Sequence, residues 1–277
     1  MKSNLRMNVK YDLFSGNSPS YAVKRLVKLL RHVGFMGTLS VCVSIIEDFY
    51  LKTFDRKYGV RTSGIISLRT TSVDPSKLRH ATGYRAVNAW AFRRLLNGLG
   101  LPKTFHFADL GCGLGRACIL AAEYGFAKVT GIEFAPELYE MARENVSAYQ
   151  ARGSPVKVPL LRIVQGDALD YCNEADEEVF FMYRPFSGKL LRSVLAKLVG
   201  RATQLNKALT IIYSERMLLP ESDDLIFSEY QAFRKLGEWS WLGQMFYVYQ
   251  CGVCDLEPSS GERDTITEKR DASLGYL

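Results

Sequence analysis

Short apolar runs alternate with helical patterns through residues 81–254. The runs at 105–110, 127–134, 158–164, 179–183 and 208–214 are bounded by glycine, proline or charged residues. This alternation predicts a parallel sheet that is covered by helices on both faces. Two later runs, 233–239 and 245–251, are separated by only a few residues, which predicts an antiparallel hairpin at the end of the sheet.

Helical spacing predicts four helices within this region. They span residues 84–96, 116–124, 136 to about 153, and 188–199. Before them, the pattern predicts helices over 21–35 and 39–54 and an irregular connection over 55–80. Residues 255–277 have too few apolar groups to fold alone, so we expect a disordered tail. The expected division is an N-terminal helical cap (1–80), a main domain (81–254) and the tail.

A glycine-rich turn follows the first predicted strand of the main domain. Its sequence runs from Asp109 to Arg116, with glycine at 111, 113 and 115. Glycines let a backbone approach a ligand closely, and the helix that follows directs free amide groups at it. A dinucleotide fingerprint would have glycine at the position of Arg116, and a P-loop would end in Gly-Lys-Ser/Thr. A carboxylate at Asp109 suits a ligand with an amino group.

This turn resembles the first motif of the class I S-adenosylmethionine-dependent methyltransferases. Glu133 ends the next strand, 24 residues after Asp109, and Asp167 follows the third strand. The resemblance implies a Rossmann-like, doubly wound, mostly parallel seven-stranded sheet, with S-adenosylmethionine as cofactor. It also implies that Glu133 binds the ribose hydroxyls and Asp167 the adenine amine. An NAD-dependent dehydrogenase is a weaker alternative, because a strand-end acid also binds ribose there.

The resemblance extends to the helix before the turn, which in the family covers the methionine end of the cofactor. Tyr84 would lie in the first turn of that helix. The expected cofactor-binding residues are Tyr84, Asp109, Gly111, Cys112, Gly113, Gly115, Glu133, Phe134, Asp167 and Ala168.

The end of the fourth predicted strand carries the candidate acceptor chemistry. In the family this strand end abuts the methyl group, and amine-directed members have an Asn or Asp there. Here Arg184 offers donors only and a fixed charge, which favours an acidic acceptor over an amine. The candidate catalytic residues are Tyr183, Arg184 and Glu215. Two alternatives stay open: Arg184 as an ion-paired structural residue, and a cofactor-binding scaffold protein without turnover. The acceptor could be a small molecule, a glycan or a protein side chain.

Charge and cysteine content add expectations about partners. The net charge is +7, and residues 1–46 carry seven basic side chains against one acid. The basic amphipathic pattern indicates either peripheral membrane contact through residues 21–46 or a solvated cap, and no nucleic-acid motif is present. The uncharged stretch 33–46 is shorter than the ~20 residues of a membrane span.

Six cysteines form no disulfide pattern, so we expect a cytoplasmic protein and, despite Cys251 and Cys254, no metal site.

Overall fold

The computed structural model describes residues 51–73, 82–152, 160–186, 188–216 and 222–252. The predicted helix at 21–35, most of the one at 39–54, the tail at 255–277 and Cys254 lie outside these ranges. Among the described residues, no helix is both long and apolar enough to cross a bilayer.

Within the described residues, nine strands form two sheets. A two-stranded antiparallel sheet pairs β1 with β2, and a seven-stranded sheet has the order β5-β4-β3-β6-β7-β9-β8. The first five strands of the large sheet are parallel, and β9 is antiparallel to both of its neighbours. This confirms the predicted Rossmann-like sheet with its C-terminal hairpin. The strands are β1 Ile65–Ile66, β2 Tyr84–Arg85, β3 His106–Leu110, β4 Lys128–Glu133, β5 Leu160–Gln165, β6 Val179–Tyr183, β7 Leu209–Arg216, β8 Phe233–Trp241 and β9 Gln244–Cys251.

Helices cover both faces of the large sheet. α1 occupies 51–58 and a 3₁₀ turn spans Leu68–Thr70. The others are α2 Ala89–Leu99, α3 Arg116–Tyr124, α4 Pro136–Ala151, α5 Ala168–Tyr171, α6 Gly188–Leu205 and α7 Asp224–Phe227. α3 begins and ends at the predicted residues, since Gly115 and Gly125 both adopt left-handed conformations at its two ends.

Alternate residues of the central strands enter two separate cores. On β6, Phe181 packs with Phe92 of α2 and Phe107 of β3, with ring centroids 4.7 Å and 6.4 Å away. The neighbouring Phe180 instead joins the core that contains Leu191 of α6. Because β6 is covered on both faces, its sequence is a continuous apolar run rather than an alternating one.

The segment before α2 differs from the prediction. Tyr84 does not begin a helix but pairs with Ile66 in the small sheet. The helix starts five residues later, where the side chain of Asn88 accepts a hydrogen bond from the Ala91 amide at 3.0 Å. Gly83 permits the strand pairing, because a Cβ there would lie 2.6 Å from the Ile66 carbonyl oxygen. Two-residue strands are too short to show a period, so the sequence pattern missed them. The predicted irregular connection at 55–80 is likewise partly wrong, since 55–58 belong to α1.

A buried ion pair joins α1 to the start of α3. Arg116 is 1% exposed, and its Nη2 donates to Asp55 Oδ1 at 3.0 Å, while its Nε donates to Thr62 Oγ1 at 2.8 Å. Asp55 also accepts from the Thr62 and Ser63 amides at 3.0 and 2.8 Å. Burial lowers the pKa of Arg116, and the charge of Asp55 opposes that shift. The pair therefore attaches residues 51–63 to the glycine turn.

We expect Asp55→Ala to destabilise the protein by about 3–5 kcal/mol, because it leaves a buried guanidinium without its counter-charge. Urea denaturation measures the free energy of unfolding. The double variant Asp55→Ala/Arg116→Met should recover part of the loss, since both charges are then absent. Strictly additive losses would show that the two side chains are not coupled.

Candidate cofactor site and active site

The glycine turn lies at the carboxyl end of β3, and neighbouring side chains press directly on its backbone. Gly111 and Gly113 have φ values of +84° and +54°. A Cβ on Gly113 would lie 2.0 Å from the Tyr84 ring, and one on Gly111 would lie 2.5 Å from Pro185. Both conformation and space therefore require glycine at these two positions. The amides of Gly111 and Cys112 donate to the Ile132 carbonyl, each at 2.9 Å, which attaches the turn to β4.

An open cleft lies beside this turn. It sits beyond the carboxyl ends of the parallel strands, where ligands bind in open α/β sheets. Seven predicted cofactor-binding residues line it: Tyr84, Asp109, Gly111, Cys112, Gly113, Glu133 and Phe134. Tyr183, Pro185 and Phe186 line it at the tip of β6.

The carboxylate of Glu133 is held by backbone amides inside the cleft wall. Its Oε2 accepts from Gly113 at 2.8 Å and its Oε1 accepts from Ala135 at 2.9 Å. Burial raises the pKa of Glu133, and these amide bonds oppose the shift. Each carboxylate oxygen keeps a further lone pair, so Glu133 can still accept from hydroxyl groups such as those of a ribose.

Asp109 is a buried carboxylate with a weak partner. It is 2% exposed, and the thiol of Cys118 donates to its Oδ2 at 3.6 Å. Burial raises the pKa of Asp109 from 3.8 to about 8, while the Cys118 bond lowers it and the charge of Glu133 adds to the rise. A buried carboxylate of this kind is stabilised by a cationic ligand group. These three features fit S-adenosylmethionine. The glycine backbone allows close approach, Glu133 can accept from the ribose hydroxyls, and Asp109 can pair with the ammonium group.

Three other predicted cofactor-binding residues do not line the cleft. Gly115 caps α3. Asp167 is exposed, and its Oδ1 accepts from the Leu169 amide at 2.8 Å, which caps α5. Ala168 is buried in the core on the α6 side. The Gly166 amide donates to the Glu133 carbonyl at 3.0 Å, so the turn that carries Asp167 lies next to the end of β4.

Only one of the three candidate catalytic residues lines the cleft, namely Tyr183. Arg184 has a left-handed backbone, with φ +41°, and its Nε donates to Asp223 Oδ2 at 2.8 Å. The hydroxyl of Tyr213 donates to the same Asp223 oxygen at 3.0 Å. The carboxylate of Glu215 accepts from Ser222 and, at 3.3 Å, from Tyr247. Arg184 and Glu215 therefore belong to a polar cluster next to the cleft, as the ion-paired alternative for Arg184 anticipated.

Thr82 is a cleft residue that the sequence analysis missed. Its amide donates to the Pro185 carbonyl at 3.0 Å, and its hydroxyl donates to the Arg184 carbonyl. Both bonds cross a hundred residues of sequence, so no local pattern could reveal them. Each of the two carbonyls at the tip of β6 thereby uses one of its two lone pairs.

The family comparison agrees with this geometry. Residues 107–186 match the model of a family described as a methyltransferase domain. The match covers the glycine turn, Glu133, Asp167 and the tip of β6. The chain carries a methyltransferase domain, as this match indicates. Its fold and cofactor are those that the sequence resemblance implied.

Solved structures of methyltransferases are similar to this chain at low identity. An RNA methyltransferase from Salinibacter ruber, in complex with S-adenosyl-L-homocysteine, is 21% identical over 64% of this chain and 99% of its own, with a TM-score of 0.44. A ribosomal protein L11 methylase from Lactobacillus delbrueckii subsp. bulgaricus is 15% identical over 60% and 79%, with a TM-score of 0.45. No curated protein matches the sequence. At these values, the methyltransferase assignment rests on the family model, the fold and the cleft.

We expect Gly113→Val to abolish cofactor binding, because its side chain would occupy the space of the Tyr84 ring. Gly98→Ala is the matched control, since a Cβ at this α2 position meets no atom within 4 Å. Calorimetric titration with S-adenosylhomocysteine measures both. Equal affinity of the two variants would contradict the assignment of the turn.

We expect Glu133→Ala to weaken cofactor binding by about 1–3 kcal/mol, through loss of a charged acceptor. The same calorimetric titration measures this loss. Unchanged affinity would contradict the ribose-binding role of Glu133.

Asp109 should make the cofactor-free protein less stable as pH rises from about 4 to about 8. Over this range the unfolded chain has released the proton, whereas the folded protein still retains it at the raised pKa. Rising pH therefore favours the unfolded state progressively, because only that state gains free energy from ionising Asp109. Urea denaturation across this range should show a flatter pH dependence for Asp109→Asn than for the wild type. Identical slopes would contradict the shifted pKa.

Proposed function

We propose that this methyltransferase esterifies a carboxylate on its acceptor, which could be a small molecule, a glycan or a protein side chain. The observation that carries the proposal is the guanidinium of Arg184 at the tip of β6, which already holds a carboxylate: its Nε donates to Asp223 Oδ2 at 2.8 Å. A planar amine needs a hydrogen-bond acceptor beside the methyl donor, whereas a guanidinium can only donate. A carboxylate is the kind of acceptor group that such donors bind.

The ionisable groups of the cleft favour the same class of acceptor. Its carboxylates, Asp109 and Glu133, lie on the cofactor side, and the described lining contains no histidine or lysine. A hydroxyl or ammonium acceptor would need a general base at the β6 end. A carboxylate oxygen is already nucleophilic at neutral pH, so its reaction requires positioning and exclusion of water alone.

S-adenosylmethionine, when bound, supplies a methyl group that its sulfonium already activates. The new bond joins that carbon to a carboxylate oxygen, the carbon–sulfur bond breaks, and S-adenosylhomocysteine leaves without any proton transfer. Tyr183 and Phe186 would form the walls around the acceptor. Phe186 is 6% exposed, so its ring is held by packing.

We assign Arg184 a role in attracting the acceptor. It adjoins two cleft residues, Tyr183 and Pro185, and its guanidinium can bind a carboxylate through paired donors. The present partner of that guanidinium, Asp223, is itself a carboxylate. An acidic acceptor would therefore compete with Asp223 for Arg184.

Alkali lability of the product tests the proposal. With methyl-labelled cofactor and a cell extract, the label should enter product and then be released as volatile methanol at high pH, because methyl esters hydrolyse there and N-methyl groups do not. Gly113→Val is the control without cofactor binding. Label that stays in the product at high pH would overturn the carboxylate assignment. If the wild-type protein binds the cofactor but transfers no label to any product, the scaffold alternative is favoured.

Arg184→Gln and Asp223→Asn should shift acceptor use in opposite directions. We expect the first to raise the acceptor concentration for half-maximal rate about ten-fold, equivalent to about 1.4 kcal/mol, and the second to lower it. The half-maximal acceptor concentration is measured, in relative terms, from the rate in a dilution series of the extract at saturating cofactor. Cofactor affinity should stay unchanged in both variants, since neither side chain lines the cleft. Equal effects of the two substitutions would contradict the competition.

We also propose a cytoplasmic location. Cys112, Cys118, Cys172 and Cys251 are all free and buried. Free thiols beside the cofactor turn support a reducing compartment.

A further inference from the structure

The turn between β8 and β9 places a leucine where its backbone is unfavourable. Leu242 and Gly243 form this two-residue turn with φ values of +50° and +76°. Positive φ at both positions is typical of a type I′ turn, in which Asn-Gly is strongly preferred. Leucine pays a steric cost there that asparagine largely avoids. Leu242 is also 43% exposed, so burial against this protein does not offset the cost.

Two tryptophans and an arginine lie beside this turn. Trp90 of α2 is 46% exposed, and its ring lies 6.4 Å from that of Trp241 at an angle of 89°. The guanidinium of Arg94 lies over both rings, 5.5 Å from one centroid and 5.6 Å from the other. Arg94 is exposed and forms no ion pair with any residue in the described ranges. We call Trp90, Arg94, Trp241 and Leu242 the tryptophan patch.

The patch is held rigidly and lacks negative charge. The Asn88 amide donates to Gln244 Oε1 at 2.9 Å, which joins the start of α2 to the hairpin. Gln244 is 3% exposed and donates in turn to Ser214 at 2.8 Å. The two stretches that build the patch, 86–105 and 239–252, contain no aspartate or glutamate. Its apolar groups and its cation are therefore presented together, without a compensating acid in either stretch.

We propose that the tryptophan patch docks on the interface of an anionic phospholipid bilayer. Tryptophan side chains favour the headgroup region, where the ring is buried and the indole N–H stays hydrated. Leu242 would enter the acyl boundary, and Arg94 would pair with lipid phosphate. Binding to the bilayer supplies the burial that offsets the unfavourable turn.

The charge of the chain before residue 51 favours a lipid surface over an apolar protein partner. Residues 1–50 carry seven basic side chains against three acids. The helix that follows them, α1, contacts α2, because Arg93 Nη2 donates to the Tyr58 hydroxyl at 3.0 Å. Basic segments near an anionic leaflet add to its attraction.

Docking would also bring the cleft close to the bilayer. Val87 lines the cleft and precedes Trp90 by three residues. An acceptor in or on the membrane could then reach the β6 tip directly. The patch itself does not depend on the acceptor proposed above, so the two can fail separately.

Vesicle sedimentation of the full chain tests the proposal. The vesicles are phosphatidylcholine alone and an equal mixture of phosphatidylcholine and phosphatidylserine. Leu242→Asn and Trp90→Ser should each raise the lipid concentration for half-maximal binding about ten-fold, equivalent to about 1.4 kcal/mol. Arg94→Gln should weaken binding to the mixed vesicles and leave binding to phosphatidylcholine unchanged.

The Leu242→Asn variant separates binding from folding. Asparagine suits a left-handed turn, so Tm should stay level or rise while vesicle binding falls. Leu225→Asn is the matched control, because Leu225 is an exposed leucine of α7, 72% accessible and outside the patch, and its substitution should leave binding unchanged. Wild-type protein that fails to sediment with mixed vesicles, or Leu242→Asn binding as tightly as wild type, would overturn the proposal. Wild-type self-association without vesicle binding would instead assign the patch to a protein contact.

Discussion

Close backbone approach at the turn after β3 is the constraint on which the site depends. Tyr84 and Pro185 come from segments that are a hundred residues apart, and both press on glycines of this turn. Their positions leave no space for a Cβ at Gly111 or Gly113. The turn can therefore bring its backbone close to a ligand, and the Gly113 amide to Glu133, only while these two positions have no side chain. The cleft is the space that remains between the three segments.

The main features of the fold could be predicted from local patterns. The strands of the large sheet are short, apolar and separated by helices, so their existence and parallel order followed from periodicity and connection length. The bounds of α3 were predictable because glycines stop it at both ends. The cleft residues Asp109 and Glu133 were identified because each ends a strand, and the ends of parallel strands meet at one edge of the sheet.

What could not be predicted depends on contacts between distant segments. Tyr84 was assigned to a helix because its two-residue strand has no visible period. Arg184 was placed beside the methyl group, but its side chain turns to Asp223, and a single sequence gives no indication of that pairing. Thr82 escaped notice because its significance lies entirely in two bonds to the tip of β6. Asp167 remains a predicted adenine ligand; it does not line the cleft, but its turn is bonded to the end of β4.

Tyr84 connects the cleft mechanically to the α1 region. Its ring lies over Gly113, and its hydroxyl donates to the Thr62 carbonyl at 2.6 Å, while Thr62 also receives the Nε of Arg116. A ligand that displaces the ring must break or carry along that bond. Coupling of this kind is reciprocal. If the cofactor changes the equilibrium constant for ordering residues 51–63 by some factor, then ordering those residues changes cofactor affinity by the same factor. Any movement of the Tyr84 ring on cofactor binding would therefore be energetically coupled to the order of residues 51–63.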